Sequence, residues 1–515
     1  MNGAELLIRT ARNEGVDVCF ANPGTTELPL VAALEETPGM RSVLGLFEGV
    51  CTGAADGYAR MTGKPALTLL HLGPGFANGV ANLHNARRAR TPLINLIGDH
   101  ASWHRAADPP LNMDIESLAG TVSGWQRNVA GPNDAGRDMA EAVAAATAGQ
   151  IATLIIPHDF QEQAADNPLA GKATFAYAPT DNAAVEAAAF FLRDAAGPVA
   201  VILGGRTLLA EGLCQAARIR AATGCDLLAE TFAPRVDRAP DLPIAVRIPY
   251  FPEQAISLLQ RYRAFVLIEA REPVGFFGYA GVPGRFLHDD QERRSVGGNG
   301  QDALAVITGL ADALDAPTSP PPPERRSLPP VEDGPLTVQN MGHILARHQP
   351  DNAIIINEGV TSGRAYGELA NHAAPHTMLT LNGGSIGWGI PQAVGAAVAC
   401  PDRPVIALQA DGSGLYTVQG LWTQAREQLN VTTLIAANRR YQILEAEMDR
   451  AGMPVDASGR GLTALDNPPV DWVSVAHGFG VPAARVETGQ DLRHELLRSL
   501  AEPGPHLIEM TLSQP

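Results

Sequence analysis

The sequence predicts an α/β protein made of three doubly wound domains, each built on a parallel β-sheet. Short apolar runs alternate with stretches of helical periodicity along most of the chain, which is the pattern of β-α-β units. A proline-dense segment at 316–335 interrupts this alternation and predicts a linker between two such domains. A length of 515 residues, of which 45% are hydrophobic, is sufficient for several buried cores.

The N-terminal domain is predicted over residues 1–165. A helix, a buried strand, the turn Asn22-Pro-Gly24 and a second helix follow one another from its start. The helices are predicted at 4–14, 27–36, 48–61 and from the glycine turn 73–75 to about 88, and the strands at 16–20, 42–46, 66–70, 92–97 and 151–156. Because parallel strands need long crossover connections, helices between successive strands predict a parallel sheet.

The middle domain is predicted over 183–315 and the C-terminal domain over 336–515. Strands at 199–203 and 264–268 define the middle domain, and Gly204-Gly205 follows the first of them. In the C-terminal domain, strands are predicted at 353–356, 405–408, 432–436 and 506–510.

Composition excludes several classes of function. With 38 basic and 55 acidic residues, the formal net charge is −17, which disfavours nucleic acid and anionic lipid as partners. No apolar run approaches the roughly 20 residues of a membrane span, and charges at Glu5 and Arg9 argue against a signal peptide. Five cysteines without a CxxC pair indicate neither a zinc site nor a disulfide framework. We therefore expect a cytoplasmic enzyme.

Two polar side chains follow neighbouring strands of the C-terminal domain. Asp411 ends the strand at 405–408, a helix is predicted at about 415–428, and Asn438 ends the next strand, 27 positions after Asp411. Ligands of open α/β sheets bind at such strand ends. A carboxylate and an amide oxygen, with a backbone carbonyl for which Arg440 is the candidate, suit Mg²⁺. Taken alone, an Asp-Gly pair is more typical of a helix cap or turn.

This spacing resembles the signature of thiamin-diphosphate enzymes, Gly-Asp-Gly followed after 25–30 residues by Asn-Asn. Here it reads Ala410-Asp-Gly412 and Ala437-Asn438, so both metal-ligand positions are kept while two flanking residues differ. The resemblance implies that Asp411, Asn438 and Arg440 hold Mg²⁺. It also implies that Gly412, Ser413 and Tyr441 contact the cofactor, with the Gly412 and Ser413 amides facing a phosphate.

A second segment is similar to the part of the same family that activates the cofactor. Phe47-Glu-Gly-Val-Cys-Thr-Gly-Ala-Ala-Asp-Gly-Tyr-Ala-Arg60 follows a strand and opens a helix, and Glu48 matches the activating glutamate. The resemblance implies that its carboxyl group bonds the aminopyrimidine ring, a role that burial favours by raising a carboxyl pKa. An exposed glutamate stabilised by the helix dipole is the alternative.

Further motifs extend the resemblance to acetolactate synthase large subunits and benzoylformate decarboxylases. Ile386, in Asn382-Gly-Gly-Ser-Ile-Gly-Trp-Gly-Ile-Pro391, matches the bulky aliphatic residue beneath the cofactor, although core packing is compatible with its position. Thr361 and Ser362 lie where the family contacts the diphosphate. The motifs that complete the match are 22–29, 78–92 and 98–100.

The family's shared reaction is decarboxylation of a 2-oxo acid, so the resemblance implies a small 2-oxo acid as substrate. The remaining fragment is either protonated to an aldehyde or joined to a second carbonyl compound. His71 and Thr25 match an active-site histidine and a substrate-binding serine of benzoylformate decarboxylases, and a histidine can relay protons near neutral pH. A structural histidine is the alternative. The decarboxylase's second histidine has no counterpart, since His288 lies too far along the chain.

As a whole, the chain resembles acetolactate-synthase-like large subunits, which implies carboligation, and an aldehyde-releasing decarboxylase is the runner-up. FAD is not expected, because Glu269-Ala-Arg-Glu272 replaces the family's FAD-contacting run, although Gly204-Gly-Arg206 could admit a nucleotide. The resemblance implies a homodimer or homotetramer. Each active site then takes Glu48 from one chain and Asp411, Asn438 and Ile386 from the other. A non-catalytic scaffold is a further alternative, and a dehydrogenase is disfavoured because no Gly-x-Gly-x-x-Gly follows the first strand.

Overall fold

The computed structural model describes residues 1–169, 176–298, 300–323, 327–331, 333–453 and 461–513. Residues 324–326 and 332 of the predicted linker, and residues 170–175 between the first two predicted domains, lie outside these ranges. The chain forms two compact units. Unit 1 comprises Met1–Phe175, Pro329–Leu369 and Leu381–Pro515, and unit 2 comprises Ala176–Leu328 and Ala370–Thr380. The predicted fold class, three α/β domains on parallel sheets, is confirmed.

The N-terminal part of unit 1 is a six-stranded parallel sheet in the order β2-β1-β3-β4-β6-β5. Its strands are β1 (Val18–Asn22), β2 (Arg41–Leu44), β3 (Ala66–His71), β4 (Leu93–Asp99), β5 (Trp125–Asn128) and β6 (Ile151–Pro157). Its helices are α1 (Gly3–Asn13), α2 (Leu28–Glu36), α3 (Glu48–Thr62), α4 (Leu72–Ala89), α5 (Ile115–Gly120), α6 (Ala135–Thr147) and α7 (His158–Glu162). The strand order reverses between β1 and β3, so a crevice opens at their carboxyl ends.

Unit 2 contains a five-stranded parallel sheet in the order β10-β8-β7-β11-β12. Its strands are β7 (Val199–Leu203), β8 (Asp226–Ala229), β10 (Val246–Arg247), β11 (Ala264–Ile268) and β12 (Glu292–Val296), and β9 (Arg235–Arg238) lies outside this sheet. Its helices are α8 (Asn182–Asp194), α9 (Ala210–Thr223), α10 (Pro252–Leu259) and α11 (Ala303–Ala313). The side chains of Phe276 and Phe277 are 38% and 54% exposed, so these two aromatic residues lie outside the hydrophobic core of unit 2.

The C-terminal third of the chain contributes strands to both units. They are β13 (Ala353–Glu358), β14 (His376–Thr380), β15 (Val405–Ala410), β16 (Val431–Ala437), β17 (Ala483–Val486) and β18 (His506–Thr511). In unit 1 the order β17-β18-β16-β15-β13 is parallel throughout, whereas in unit 2 β14 pairs with β9 antiparallel.

The helices of this third belong to unit 1 and surround its second sheet. They are α12 (Val338–His348), α13 (Arg364–Leu369), α14 (Gly389–Ala399), α15 (Asp411–Gly414), α16 (Gly420–Arg426), α17 (Gln442–Arg450), α18 (Trp472–Gly478) and α19 (Gly489–Ala501). Across the described ranges, the helices are too short or too polar to cross a membrane.

The single helix predicted at about 415–428 is wrong. The chain forms one helical turn in α15, a 3-10 turn at Leu415–Thr417 and the short helix α16. Two tertiary contacts accompany the interruption. The Thr417 hydroxyl donates to the Gly387 carbonyl at 2.8 Å, and Gly420 packs closely on Ile390.

A buried ion pair on α3 is hydrogen-bonded to α14 within unit 1. Asp56 and Arg60 form a salt bridge of 2.7 Å, and their side chains are 0% and 3% exposed. The Asp56 carboxylate also accepts from Thr91 Oγ1 at 2.6 Å and from Trp388 Nε1 at 3.0 Å. Gln392 Nε2 is a further donor to this carboxylate. Because α3 begins at Glu48 and α14 begins next to Trp388, these hydrogen bonds fix the two helices of one chain relative to each other.

We predict that Arg60→Met lowers the stability of unit 1 by about 3–5 kcal/mol, because it leaves the buried Asp56 without its counter-ion. The measurement is urea unfolding followed by tryptophan fluorescence. All five tryptophans of the chain, at 103, 125, 388, 422 and 472, lie in unit 1, so the signal reports that unit.

The matched control is Arg9→Met, which breaks an exposed pair with Glu5 at 3.9 Å. We expect the control to lower stability by about 1 kcal/mol or less. Equal effects of the two substitutions would contradict the role assigned to the buried pair.

Candidate active site

A carboxylate and a histidine meet at the carboxyl ends of β1 and β3. Glu27, which follows β1, is completely buried, and its Oε2 lies 2.8 Å from His71 Nδ1 at the end of β3. Glu27 also accepts from the Gly24 amide at 2.9 Å and from Thr26 Oγ1 at 2.7 Å. Because an ionised carboxylate only accepts hydrogen bonds, this pairing favours the His71 tautomer with its hydrogen on Nδ1. The second ring nitrogen, Nε2, takes no part in the pair.

Thr25 occupies the exposed start of the 3-10 turn Thr25–Glu27. Its neighbour Thr26 lies beside His71, with 3.4 Å between Thr26 Oγ1 and His71 Nδ1. The substrate-binding role of Thr25 stays a prediction.

Glu48 is the first residue of α3 and is only 7% exposed, which excludes the exposed helix-start alternative. Asn78 Nδ2, on α4, donates to Glu48 Oε2 at 3.0 Å. A Cβ placed on Gly75 would lie 3.0 Å from Glu48 Oε1 and 3.3 Å from His71 Cβ. Gly75 therefore lies in close contact with Glu48 and His71, the two residues for which proton transfer is predicted, and a larger residue would crowd them.

Asp411 and Asn438 lie side by side at the ends of β15 and β16. Asp411 Oδ2 accepts from the Arg439 amide at 2.7 Å, and Oδ1 accepts from the Gly412 amide at 2.9 Å. Asn438 Oδ1 accepts from the Arg440 amide at 3.1 Å. Burial raises the pKa of Asp411 above its usual value, and the two backbone amides oppose that rise.

These oxygens fit a partial shell for Mg²⁺. Among the described residues, His, Cys, Asp and Glu form no group of three or more around a common point. Mg²⁺ needs few protein carboxylates, since waters and substrate phosphates complete its shell. The Arg440 guanidinium is directed away to Glu445 at 3.3 Å, so only its backbone carbonyl could serve as a ligand.

The predicted diphosphate contacts lie around the same strand ends. Thr361 Oγ1 and Asn438 Nδ2 both donate to Gln442 Oε1, at 3.5 and 3.2 Å. Ser362 Oγ donates to the Gly359 carbonyl at 2.6 Å, so that hydroxyl braces its own loop. Ser413 is buried next to Gly412, and its Oγ donates to the Ala410 carbonyl at 3.3 Å. Tyr441 packs close to Gly412, and burial raises the pKa of its hydroxyl.

Ile386 lies in a turn, residues 383–389, that is bound from both parts of unit 1. Asn85 Nδ2 donates to the Ser385 carbonyl at 2.8 Å, and Asn82 Nδ2 reaches the carbonyls of Gly49 and Gly387 at 2.9 and 3.4 Å. Within one chain, the turn with Ile386 thus contacts the first turn of α3, where Glu48 lies.

Three residues near the site were not predicted as functional: Glu27, Asn78 and Glu358. Glu27 and Asn78 lie inside two of the matched motifs, 22–29 and 78–92, and Glu358 ends an apolar strand. A carboxylate immediately after such a strand is the signal that could have identified Glu358.

Known proteins resemble this chain over most of its length. The model of the thiamine pyrophosphate enzyme N-terminal TPP binding domain matches residues 1–118, and that of the C-terminal TPP binding domain matches 361–510. The chain is 46% identical to a Mycobacterium tuberculosis (H37Rv) protein named acetolactate synthase large subunit IlvX, over 99% of both chains. It is 28% identical to benzoylformate decarboxylase of Pseudomonas aeruginosa, over 97% of this chain and 96% of the relative.

A solved structure shares the fold. The thiamine diphosphate-dependent 4-hydroxybenzoylformate decarboxylase of Rhodococcus jostii RHA1 superposes with a TM-score of 0.87, covers 100% of both chains and is 24% identical. At 24% identity, this structural similarity shows the fold alone.

We predict that Asp411→Asn abolishes the Mg²⁺-dependent part of thiamin diphosphate binding, because the substitution removes the one carboxylate of the metal shell. The measurement is a tryptophan-fluorescence titration with the cofactor, in Mg²⁺ and in EDTA. Asp402→Asn is the control, since Asp402 is exposed and precedes the opposite end of β15. Wild-type affinity in the Asp411 variant would place the metal elsewhere.

Proposed function

The chain belongs to the thiamine pyrophosphate enzyme family, and from this premise we propose that it decarboxylates a 2-oxo acid and joins the remaining fragment to a second carbonyl compound. Support for the joining step comes from the relative named acetolactate synthase, which covers 99% of this chain at 46% identity. The observation that carries the proposal is the buried Glu48 carboxylate, which is bound by Asn78 and lies close to Gly75.

In this proposal, bound thiamin diphosphate supplies the carbon nucleophile and the electron sink for decarboxylation. Glu48 holds and exchanges a proton at one ring nitrogen of the cofactor. Asn78 orients Glu48 by binding Oε2, so that Oε1 is directed towards Gly75. Burial in a largely apolar helix start excludes water from this proton exchange.

The second half of the proposed site binds the charged end of the cofactor. Asp411 and Asn438 present oxygens to Mg²⁺, and Thr361 and Ser362 lie near the diphosphate. Because the backbone amides of Arg439 and Gly412 already fix the Asp411 carboxylate, it is oriented before the metal binds.

The assembly is also part of the proposal. We infer a cytoplasmic homodimer or homotetramer in which Glu48 and Asp411 of one active site belong to different chains. FAD has no place in this proposal. The Glu269 carboxylate accepts from the Arg206 amide at 2.7 Å, against Gly205, where a nucleotide phosphate would bind.

One observation favours a second candidate, release of an aldehyde. The Glu27–His71 pair has the geometry of an oriented proton relay, with 2.8 Å between Glu27 Oε2 and His71 Nδ1. A relay of this kind protonates the fragment left after loss of CO₂ and thereby competes with joining.

We predict CO₂ release from at least one member of a panel of 2-oxo acids that includes pyruvate, 2-oxobutyrate and benzoylformate. Release should require both Mg²⁺ and thiamin diphosphate. Glu48→Gln should lower turnover about 10²- to 10⁴-fold, because it removes the exchangeable carboxyl proton, while cofactor affinity changes little.

The two outcomes that count against this function are distinct. No release from any acid, with no cofactor bound, supports the scaffold alternative. Near-normal turnover of Glu48→Gln would instead show that another group activates the cofactor.

Product analysis separates the two candidates. If an aldehyde is the main product, we expect His71→Ala to lower its formation about 10²-fold or more, because the proton donor is lost. If a hydroxyketone is the main product, the same substitution should raise the hydroxyketone-to-aldehyde ratio. His494→Ala, at a side chain 76% exposed on α19, is the control. An unchanged ratio and rate would make His71 a structural residue.

A further inference from the structure

Glu358 is a buried carboxylate with both oxygens bound to one turn. It ends β13 in unit 1 and is 1% exposed. Its Oε1 accepts from the Gly387 amide at 2.7 Å, and its Oε2 accepts from the Gly389 amide. The turn that it binds is 383–389, which contains Ile386.

The backbone on either side of Ile386 is therefore fixed. Asn85 binds both backbone polar groups of Ser385, accepting from its amide at 3.2 Å and donating to its carbonyl at 2.8 Å. Gly387 adopts φ +87°, a left-handed conformation that a side chain would strain, and Glu358 holds it there. Ile386 lies between these two anchored residues.

Only a carboxylate satisfies both amides at once. An amide side chain of the same shape would direct an NH₂ group at a backbone N–H, and one hydrogen bond would be lost. Burial raises the pKa of Glu358 to about 7, and the amides of Gly389 and Gly387 and the side chain of Gln409 oppose the rise. At pH 8 the group is therefore mainly ionised, and both oxygens accept.

We propose that Glu358 is a positioning residue: by binding the Gly387 and Gly389 amides it fixes Ile386 at the place where the cofactor is to be supported. The inference rests on the proposed function for the role of Ile386. Glu358 itself touches neither substrate nor cofactor in this proposal. Displacing a support by about 1 Å is enough to slow a reaction about 10²-fold.

The first experiment does not depend on activity. Amide hydrogen exchange at pH 8, read by mass spectrometry on a peptide that spans 383–395, compares the wild type with Glu358→Gln without added cofactor. We expect exchange of the turn to become about tenfold faster in the variant, the effect of one lost hydrogen bond.

The matched control is Glu509→Gln on β18. Glu509 is likewise 1% exposed, in the same sheet of unit 1, but it pairs with Arg485 at 2.9 Å. The Glu509→Gln substitution should leave hydrogen exchange of the turn 383–389 unchanged. Glu358→Asp, whose shorter side chain keeps the charge but reaches one amide at most, should give an intermediate rate and serves if the first variant does not fold.

The second experiment measures turnover of the same variants. We expect kcat of Glu358→Gln to fall about 10²-fold with KM little changed, and kcat of Glu509→Gln to stay near wild type. Faster exchange with unchanged kcat would overturn the positioning role, and unchanged exchange would overturn the anchoring itself. Equal losses in both variants would show general destabilisation and would also overturn it. If the wild type shows no turnover, the proposed function is contradicted instead. The hydrogen-exchange result then tests only whether Glu358 anchors the turn.

Discussion

Asp56 is a completely buried acidic residue, and its charge must be balanced by neighbouring groups. The groups that balance it lie on α3, which begins at Glu48, and at the start of α14, which follows the turn with Ile386. The positions of Glu48 and Ile386 therefore depend on these contacts. Arg60 supplies the counter-ion one helical turn along α3, and Trp388 supplies a hydrogen bond from the start of α14. A buried ion pair of this kind adds little net stability over an apolar replacement, since desolvation offsets the Coulomb attraction. Removing one partner of the pair is costly, however, because it leaves a buried charge. The Asp56 contacts that depend on α14 are the hydrogen bonds from Trp388 and Gln392, so an arrangement of the two helices that breaks them leaves the buried carboxylate with fewer donors.

Glycines make this arrangement possible, and the ion pair makes it specific. A Cβ at Gly57 or Gly395 would collide with the backbone of the facing helix, so α3 and α14 approach as closely as two backbones can. Two helices in contact only through glycine and apolar surfaces could shift along each other. Polar contacts resist sliding because a shift of one residue would remove the Trp388 and Gln392 hydrogen bonds to Asp56. We infer that the glycines set the distance between the helices and that the Asp56 network sets their register.

The parts of this structure that the sequence predicts are those decided by neighbours along the chain. Strand ends, and therefore Asp411 and Asn438, follow from apolar runs and crossover helices, and the match of Glu48 to a family motif is equally local. Glu27 and Glu358 were missed because their partners, His71 and Gly387, are 44 and 29 positions away. The Trp388 contact of Asp56 spans 332 positions. The continuous helix predicted after Asp411 was wrong for the same reason, since contacts with 387 and 390 accompany its interruption.

Carboxylates at the site differ chiefly in the number of donors that hold them, and this number separates their roles. Glu358 and Asp411 each accept from two backbone amides, which fixes both oxygens and suits an anchor or a metal ligand. Glu27 is bound by a histidine, a hydroxyl and an amide, so its function is exerted through His71. Glu48 has one side-chain donor among the described residues, Asn78, and its other oxygen lies next to Gly75. A carboxyl group that must gain and lose a proton during each turnover needs one oxygen without a fixed donor. By this criterion Glu48 is the carboxylate suited to proton exchange, and the three more firmly held ones keep the surrounding groups in place.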